Sequence, residues 1–364
     1  MISTAKKYSL LALLSLGSIS IMALLYLWSE NRMQKENPFI RRYTPLSAVK
    51  TAEITLDNPY YYIAGQSGAS IFLANRKAPL YVTEIDTLLR TRTEHKIELD
   101  RYDFPFRSTE VRIASPHFYV YDGLVPVIYK GLLSDFKGSV VVNDKTFFTG
   151  AVIMDSLSVA IRGQKQGTGE NLLGLLSLQK GTRTQYHPEL LEKQIDGLFD
   201  TSGTMNFSED LKRFVYVYYY RNQYIVADYG LNLKARGRTI DTTSKAKLKI
   251  VRIESSGDRK LAAPPLTVNL NSTVISNLLF INSGLMGRYE IPEVWKVASI
   301  VDVYDLNKQL YLLSFYIYDI PGSGKMRNFF ADRTAVYAVI GKHLHKYSFG
   351  KPIKNQLMNT RVKD

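Results

Sequence analysis

The segment Pro321-Gly322-Ser323-Gly324-Lys325 looks more like a chemical motif than any other in this chain. A phosphate-cradling loop needs G-x-x-x-x-G-K followed by Ser or Thr, set between a strand and a helix so that backbone N–H groups converge on the anion. Here Met326 follows the lysine and strand-like runs lie on both sides, so a plain loop is expected. Gly163, Gly167 and Gly169 are likewise expected to serve turns, where they supply conformations other residues resist, rather than a dinucleotide site.

Five histidines, His95, His117, His187, His343 and His345, are available for metal ligation or proton transfer. His343 and His345 alternate about Leu344 and share one side of a strand, a spacing able to chelate. Lys342 and Lys346 beside them disfavour a cation, and no carboxylate is near in sequence, so a solvent-facing pair is expected. No serine sits in a nucleophile elbow. Glu209 with Asp210, and Asp302 with Asp305, are acid and base candidates, but the separation that decides glycoside chemistry is spatial. Tyr216, Tyr218, Tyr219, Tyr220 and Tyr224 form the densest aromatic patch. Alternation puts Tyr216, Tyr218 and Tyr220 on one face, and Val215, Val217 and Tyr219 on the other. Such a patch is expected to pack between sheets, with a platform for sugar rings or a partner protein as the rival reading. The sequons Asn206 to Ser208 and Asn271 to Thr273 matter only in a glycosylating secretory pathway. No catalytic, cofactor-binding or metal residue is assigned, no cofactor is expected, and the binding residues stay unknown.

The elements that would have to position any site recur with a period of about 50 residues, the length of a four-stranded sheet unit. Pro59 onward reads PYYYIAG, SIFLAN, LYVTEID, with HKIEL, ending at Leu99, as the fourth strand. The same grammar returns from Val111 to Leu133, followed by GSVVVN, and from Phe147 to Gln179. It returns again from Arg213 to Asp241, closed by AKLKIVRI, then from Leu266 to Ile320, and from MRNFFADR to Phe349. The last unit has only three strands. Its missing outer partner is expected to be Ser47 to Leu56, which would close a ring and pair exposed sheet edges. The expected fold is all-β, a six-bladed propeller. A seven-bladed ring, splitting Arg183 to Ile253, and two packed sandwiches are the alternatives. Glu189 to Phe199 is the best amphipathic helix candidate within the β region.

This period and grammar, with the loosely recurring strand ends Glu84-Ile85-Asp86, Val303-Tyr304-Asp305 and Ile317-Tyr318-Asp319, resembles the six-bladed, TolB-like class of β-propellers over about residues 45 to 350. No diagnostic word recurs in every unit.

Tyr8 to Ser29 is free of charged side chains. As a helix it would reach roughly 33 Å, enough for a hydrocarbon core about 30 Å thick. The run continues to Trp28 with no A-x-A ending, so a transmembrane signal anchor is expected over a cleaved leader or a buried helix. Lys6 and Lys7 before it resemble the start of an export signal, although Arg32, Lys35, Arg41 and Arg42 follow it. Zero cysteines agrees with an oxidising compartment, where stray thiols are liabilities.

The formal net charge is +14. Its lysines and arginines are scattered, and the dense stretch Lys234 to Lys249 alternates with Leu248 and Ile250 as an exposed strand would. A solvated face is expected, with a lipid-facing or glycan-facing role as the rival reading and nucleic acid disfavoured.

The expected organisation is a basic N-terminal tail (1–7), a transmembrane anchor (8–29), a linker (30–44), the propeller (45–350) with its N-terminal strand closing the last blade, and a basic C-terminal tail (351–364). The expected placement is the bacterial inner membrane, single-pass, with the β domain in the periplasm. The expected role is a non-enzymatic protein-binding or assembly module whose partners are the membrane and a protein. The alternatives are a propeller hydrolase, lactonase or lyase with its site at the channel mouth, and an envelope glycan binder.

Overall fold

The computed structural model describes residues 4–35, 37–179, 184–253 and 259–357. It opens with the helix Thr4–Lys35, longer at both ends than the uncharged run. Within it, Lys6–Ser29 is long and apolar enough to cross a membrane. Every side chain over that span is exposed, so its apolar surface meets no protein. A helix apolar all round is what a membrane span presents.

Most of the rest forms six blades, each of four antiparallel strands that run in chain order from inside to outside, except that the outermost strand of the sixth comes from before the first. Blade one is Tyr61–Ser67, Ser70–Asn75, Ala78–Asp86 and Arg92–Lys96. Blade two is Glu110–Ala114, His117–Asp122, Val127–Leu132 and Lys137–Asn143. Gly150–Ile153, Ser158–Gln164, Asn171–Ser177 and Thr184–His187 make blade three. Blade four is Gly203–Ser208, Arg213–Tyr218, Gln223–Ala227 and Leu233–Arg238. Blade five is Asn269–Ile275, Leu278–Ser283, Ala298–Asp305 and Leu310–Tyr318. Met326–Ala331, Ala335–Ile340 and His343–Phe349 build blade six, and Ala48–Thr55 pairs antiparallel with the last of these, Glu53 opposite His345.

The ring closes through its packing. One apolar cluster fills each of the six gaps between neighbouring blades, from Phe118 and Val82 between blades one and two to Leu56, Leu344 and Ile71 between blades six and one. The middle strands are therefore covered on both faces, and every residue of Ala298–Asp305 and Ala335–Ile340 is buried. The chain's 25 tyrosines and 16 phenylalanines suit this packing, because wide side chains fill wedge-shaped gaps. Tyr216 and Tyr218 pack toward blade three, while Val215, Val217 and Tyr224 pack toward blade five. Tyr219 and Tyr220 lie just past that strand and are half-buried.

Several strand assignments shift. HKIEL is split, since the outer strand of blade one ends at Lys96 and Glu98–Leu99 runs parallel to Lys137 and Gly138 of blade two. AKLKIVRI does not close blade four, which uses Leu233–Arg238; Ile250–Arg252 instead pairs with Arg259–Leu261 in a separate ribbon. The alternation read over Lys234 to Lys249 is therefore a strand only in its first residues. Blade four starts one strand earlier than its aromatic run suggests, at Gly203. Among the described residues the sheets of four or more strands count six, with one two-stranded ribbon beside them, and this arrangement removes the seven-bladed and sandwich alternatives. Residues 358–364 of the expected C-terminal tail and residues 1–3 of the N-terminal tail lie outside the described residues.

Glu189 to Phe199 is not a helix. The buried Asp200 carboxylate accepts hydrogen bonds from the backbone N–H groups of Gln194, Ile195, Asp196 and Gly197 at 2.6 to 3.2 Å. Those donors are satisfied outside a helical ladder, so the apolar period has no helix to serve. The helix of the β region lies elsewhere, at Pro292–Val297, inside the unit read as strands from Leu266 to Ile320.

The stretch after the N-terminal helix is docked. Arg41 is buried against blade five, its Nε donating to Asp302 Oδ1 at 2.7 Å and its Nη1 to both Glu290 oxygens at 2.8 and 2.9 Å. Nη2 donates to Ser283 Oγ at 2.7 Å and to Asp302 Oδ2 at 3.1 Å. The Phe39 ring lies under the guanidinium, 4.8 Å from centroid to Cζ, and Tyr43 stacks on Tyr316. Burial favours a neutral Glu290, but Arg41 and the surrounding donors outweigh it and hold the carboxyl below its ordinary range.

Candidate binding cavity

The six innermost strands enclose a channel. Gly65, Ile113, Ile153, Phe207, Val274 and Phe330, one residue from each blade in order, form its waist and line the cavities on both sides of it. The waist is apolar because strand alternation aims these residues inward at one level. Gly65 is required there by crowding. A Cβ at this position would meet the Ile113 carbonyl oxygen at 2.4 Å.

The two halves differ in charge. The half at the leading ends of the innermost strands, a cavity of about 550 Å³, is lined by Arg76, Arg112, Arg162 and Arg327 with Glu110. These guanidiniums come from blades one, two, three and six. Arg112 pairs with Glu110 at 2.9 Å. Burial disfavours its cation, but the fields of Tyr121 and Glu110 more than offset that and raise its pKa. Arg162 is held by Thr149 Oγ1 at 3.0 Å and the Gly203 carbonyl at 2.8 Å. Arg327 donates to the Pro59 carbonyl at 3.0 Å, and Arg76 lies over the Tyr62 ring at 5.0 Å. Among the described residues, Arg76, Arg162 and Arg327 form no ion pair with a carboxylate. Tyr219, Asn206 and Asn271 complete the polar wall.

The half at the trailing ends, about 840 Å³, is lined by Asp155, Glu209, Asp210 and Asp332 with Arg333 and His117. Three of these carboxylates are engaged locally. Asp210 pairs with Arg333 at 2.5 Å, Asp155 accepts from the Tyr229 hydroxyl, and Asp332 accepts from the N–H groups of Thr334 and Ala335 at 2.6 and 2.7 Å.

The residues singled out from sequence scatter. Lys325 donates to the carbonyls of Trp295 and Ala298 and pairs with Asp319 at 3.3 Å, which ties the glycine loop to blade five. His343 is half-exposed, but His345 is buried, against the expectation of a solvent-facing pair. Its Nε2 lies 3.4 Å from Glu53, a carboxylate contributed by the closing strand and invisible to any local reading. Burial pushes the His345 ring down to about 4, with Lys50 adding to the effect. His95 meets Glu84 at 2.8 Å and His187 meets Glu189 at 3.3 Å. Among the described residues, no three His, Asp or Glu side chains converge to hold a metal. Asp302 binds Arg41, whereas Asp305 accepts from Asn277 and from the turn N–H groups of Asn307 and Lys308, so the two do not act on one point. Asp86, another of the recurring strand-end aspartates, accepts from the N–H groups of Arg90 and Thr91, so these residues build turns. The sequon residues Asn206 and Asn271 lie in the cavity wall. Sequence reasoning missed the arginine cluster entirely. Its members are spread over 252 positions with one per blade, and only closure brings them together.

The sequence matches no model of a known protein family and no curated protein. Among solved structures, a member of the DUF4221 family from Bacteroides vulgatus is 13% identical and superposes with a TM-score of 0.50, covering 83% of this chain and 97% of that one. YCF48 bound to D1 peptide is 11% identical with a TM-score of 0.43, covering 84% and 99%. A nidogen/laminin complex is 11% identical with a TM-score of 0.42, covering 72% and 81%. At such identities the likeness concerns the fold alone, and the first of these structures agrees with the six-bladed ring.

Proposed function

We propose that this chain is a membrane-tethered, non-enzymatic module that binds or assembles a protein partner, with its propeller in the periplasm and its anchor in a bacterial inner membrane. One observation carries the binding role: a channel of opposite charge at its two ends, whose basic half holds guanidiniums without carboxylate partners. Buried or confined cations attract an anionic group that replaces lost water. The engaged carboxylates of the other half support a binding role over hydrolase, lactonase or lyase chemistry, because groups committed to turns and ion pairs are poorly placed to move protons. The exposed apolar helix and the absence of cysteine support the tethered, exported placement. The TolB-like kinship rests on the fifty-residue period and strand grammar, with the loosely recurring strand ends as its only motif.

The test uses the full chain in its membrane. A photocrosslinking amino acid replaces Tyr219 in the cavity wall or Tyr186 on an exposed outer strand. The proposal expects a protein adduct from position 219 that position 186 does not give. An absence of any protein adduct at 219, or an adduct formed equally at 186, overturns it.

A further inference from the structure

The basic half of the channel and its waist together describe a ligand more narrowly than either does alone. Four guanidiniums face one carboxylate across about 550 Å³, an excess of positive charge in a confined space. Arginine there favours planar carboxylates, which its fork of N–H groups matches in pairs. Immediately below lies the apolar waist of Ile113, Ile153, Phe207, Val274 and Phe330. A polyanionic sugar has hydroxyls over its whole surface and leaves such a ring unsatisfied. An inorganic anion would reach only the arginines. An extended peptide carries both chemistries in series, since successive side chains can be acidic and then apolar.

We infer that the basic half of the channel binds a peptide segment in which carboxylate side chains adjoin an apolar residue. The carboxylates pair with Arg76, Arg112, Arg162 and Arg327, and the apolar side chain enters the waist. The inference rests on the protein-binding role proposed above and names the chemistry of the partner segment. Arg76 and Arg327 are exposed and take few structural contacts, so they select ligand rather than hold the fold. Arg162, fixed to blades three and four, positions the wall.

The experiment uses the full chain in dodecyl maltoside micelles and fluorescence anisotropy of a labelled Glu-Glu-Glu-Leu-Phe peptide. Expected results are binding that weakens at least tenfold when the glutamates become glutamines, and at least fivefold when Leu-Phe becomes Gly-Gly. The R76Q/R327Q variant should weaken binding at least tenfold, and raising salt from about 50 to 300 mM should weaken it as well. Circular dichroism confirms that this variant is folded; R327Q alone serves if it is not. Absence of peptide binding, unchanged affinity in the folded variant, or tighter binding of hexagalacturonate than of the peptide would each overturn the inference. A protein adduct at position 219 combined with no affinity for the acidic peptide would sink this inference and leave the broader binding role intact.

Discussion

Arg41 and Asp302 are 261 positions apart in sequence, yet Nε of one donates to Oδ1 of the other at 2.7 Å with both side chains buried. This pair fastens the chain to blade five a few residues after the N-terminal helix ends at Lys35. The closing strand then begins at Ala48. Two long-range attachments thus follow that helix in quick succession.

Removing the guanidinium leaves Glu290 and Asp302 buried beside one another without a counter-charge. Breaking one side of such a buried pair costs about 3 to 5 kcal/mol, more than an exposed ion pair ever returns. Arg41→Ala is expected to lower unfolding free energy by that amount in urea titrations, whereas Arg42→Ala, on an exposed side chain, should cost under about 0.5 kcal/mol. Equal effects would contradict the docking.

Leu56 follows directly on the closing strand, buried among Leu344, Tyr337 and Ile71, with its N–H donating to the Lys342 carbonyl at 2.7 Å. Leu56→Ala removes buried methyl groups and leaves a cavity, a loss of about 2 to 5 kcal/mol. If the seam is as described, thermal melting should fall clearly for this variant. A change no larger than that for an exposed site such as Val49→Ala would count against closure.

His345 makes stability depend on pH. Its folded pKa lies near 4, below its ordinary 6.5. Between those values the unfolded chain binds a proton that the folded chain refuses, so stability rises with pH across this window and falls on acidification, at up to about 1.4 kcal/mol per unit. The charges facing the ring are Lys50 and Glu53 from the closing strand and His343 from its own. Urea midpoints measured from pH 7 to 4 should show a steeper decline for the wild type than for His345→Gln. Parallel curves would contradict a buried neutral ring.

Much of the fold was legible because it is written in local grammar. Strand, turn and strand repeat at a fixed spacing, and the three-stranded last unit signals a partner at the other chain end. What failed were boundaries between units. Ile97 sends the chain to the next blade without a glycine or proline, and the aromatic run at Phe214 hides the plainer innermost strand before it. Glu189 to Phe199 has helical period, but one aspartate, Asp200, captures its N–H groups. The cavity was illegible for a different reason. Arg76, Arg112, Arg162 and Arg327 stand in no common motif, and each alone reads as a solvated surface charge. His345 and Glu53 likewise meet only through the seam.

The chain's lack of cysteine allows a clean reading of placement. A single cysteine at exposed Ser156, labelled with a membrane-impermeant maleimide, should react in cells whose outer membrane alone has been opened. Reaction only after the inner membrane is also lysed would place the propeller on the other side.

The most direct measurement repeats the crosslinking at position 219 in the R76Q/R327Q background, with the full chain in its native membrane. The account predicts that the protein adduct drops at least tenfold while the chain's amount and thermal stability stay as in the parent. An adduct of undiminished yield would show that the partner is held without the arginines, and would contradict the channel as the site of recognition.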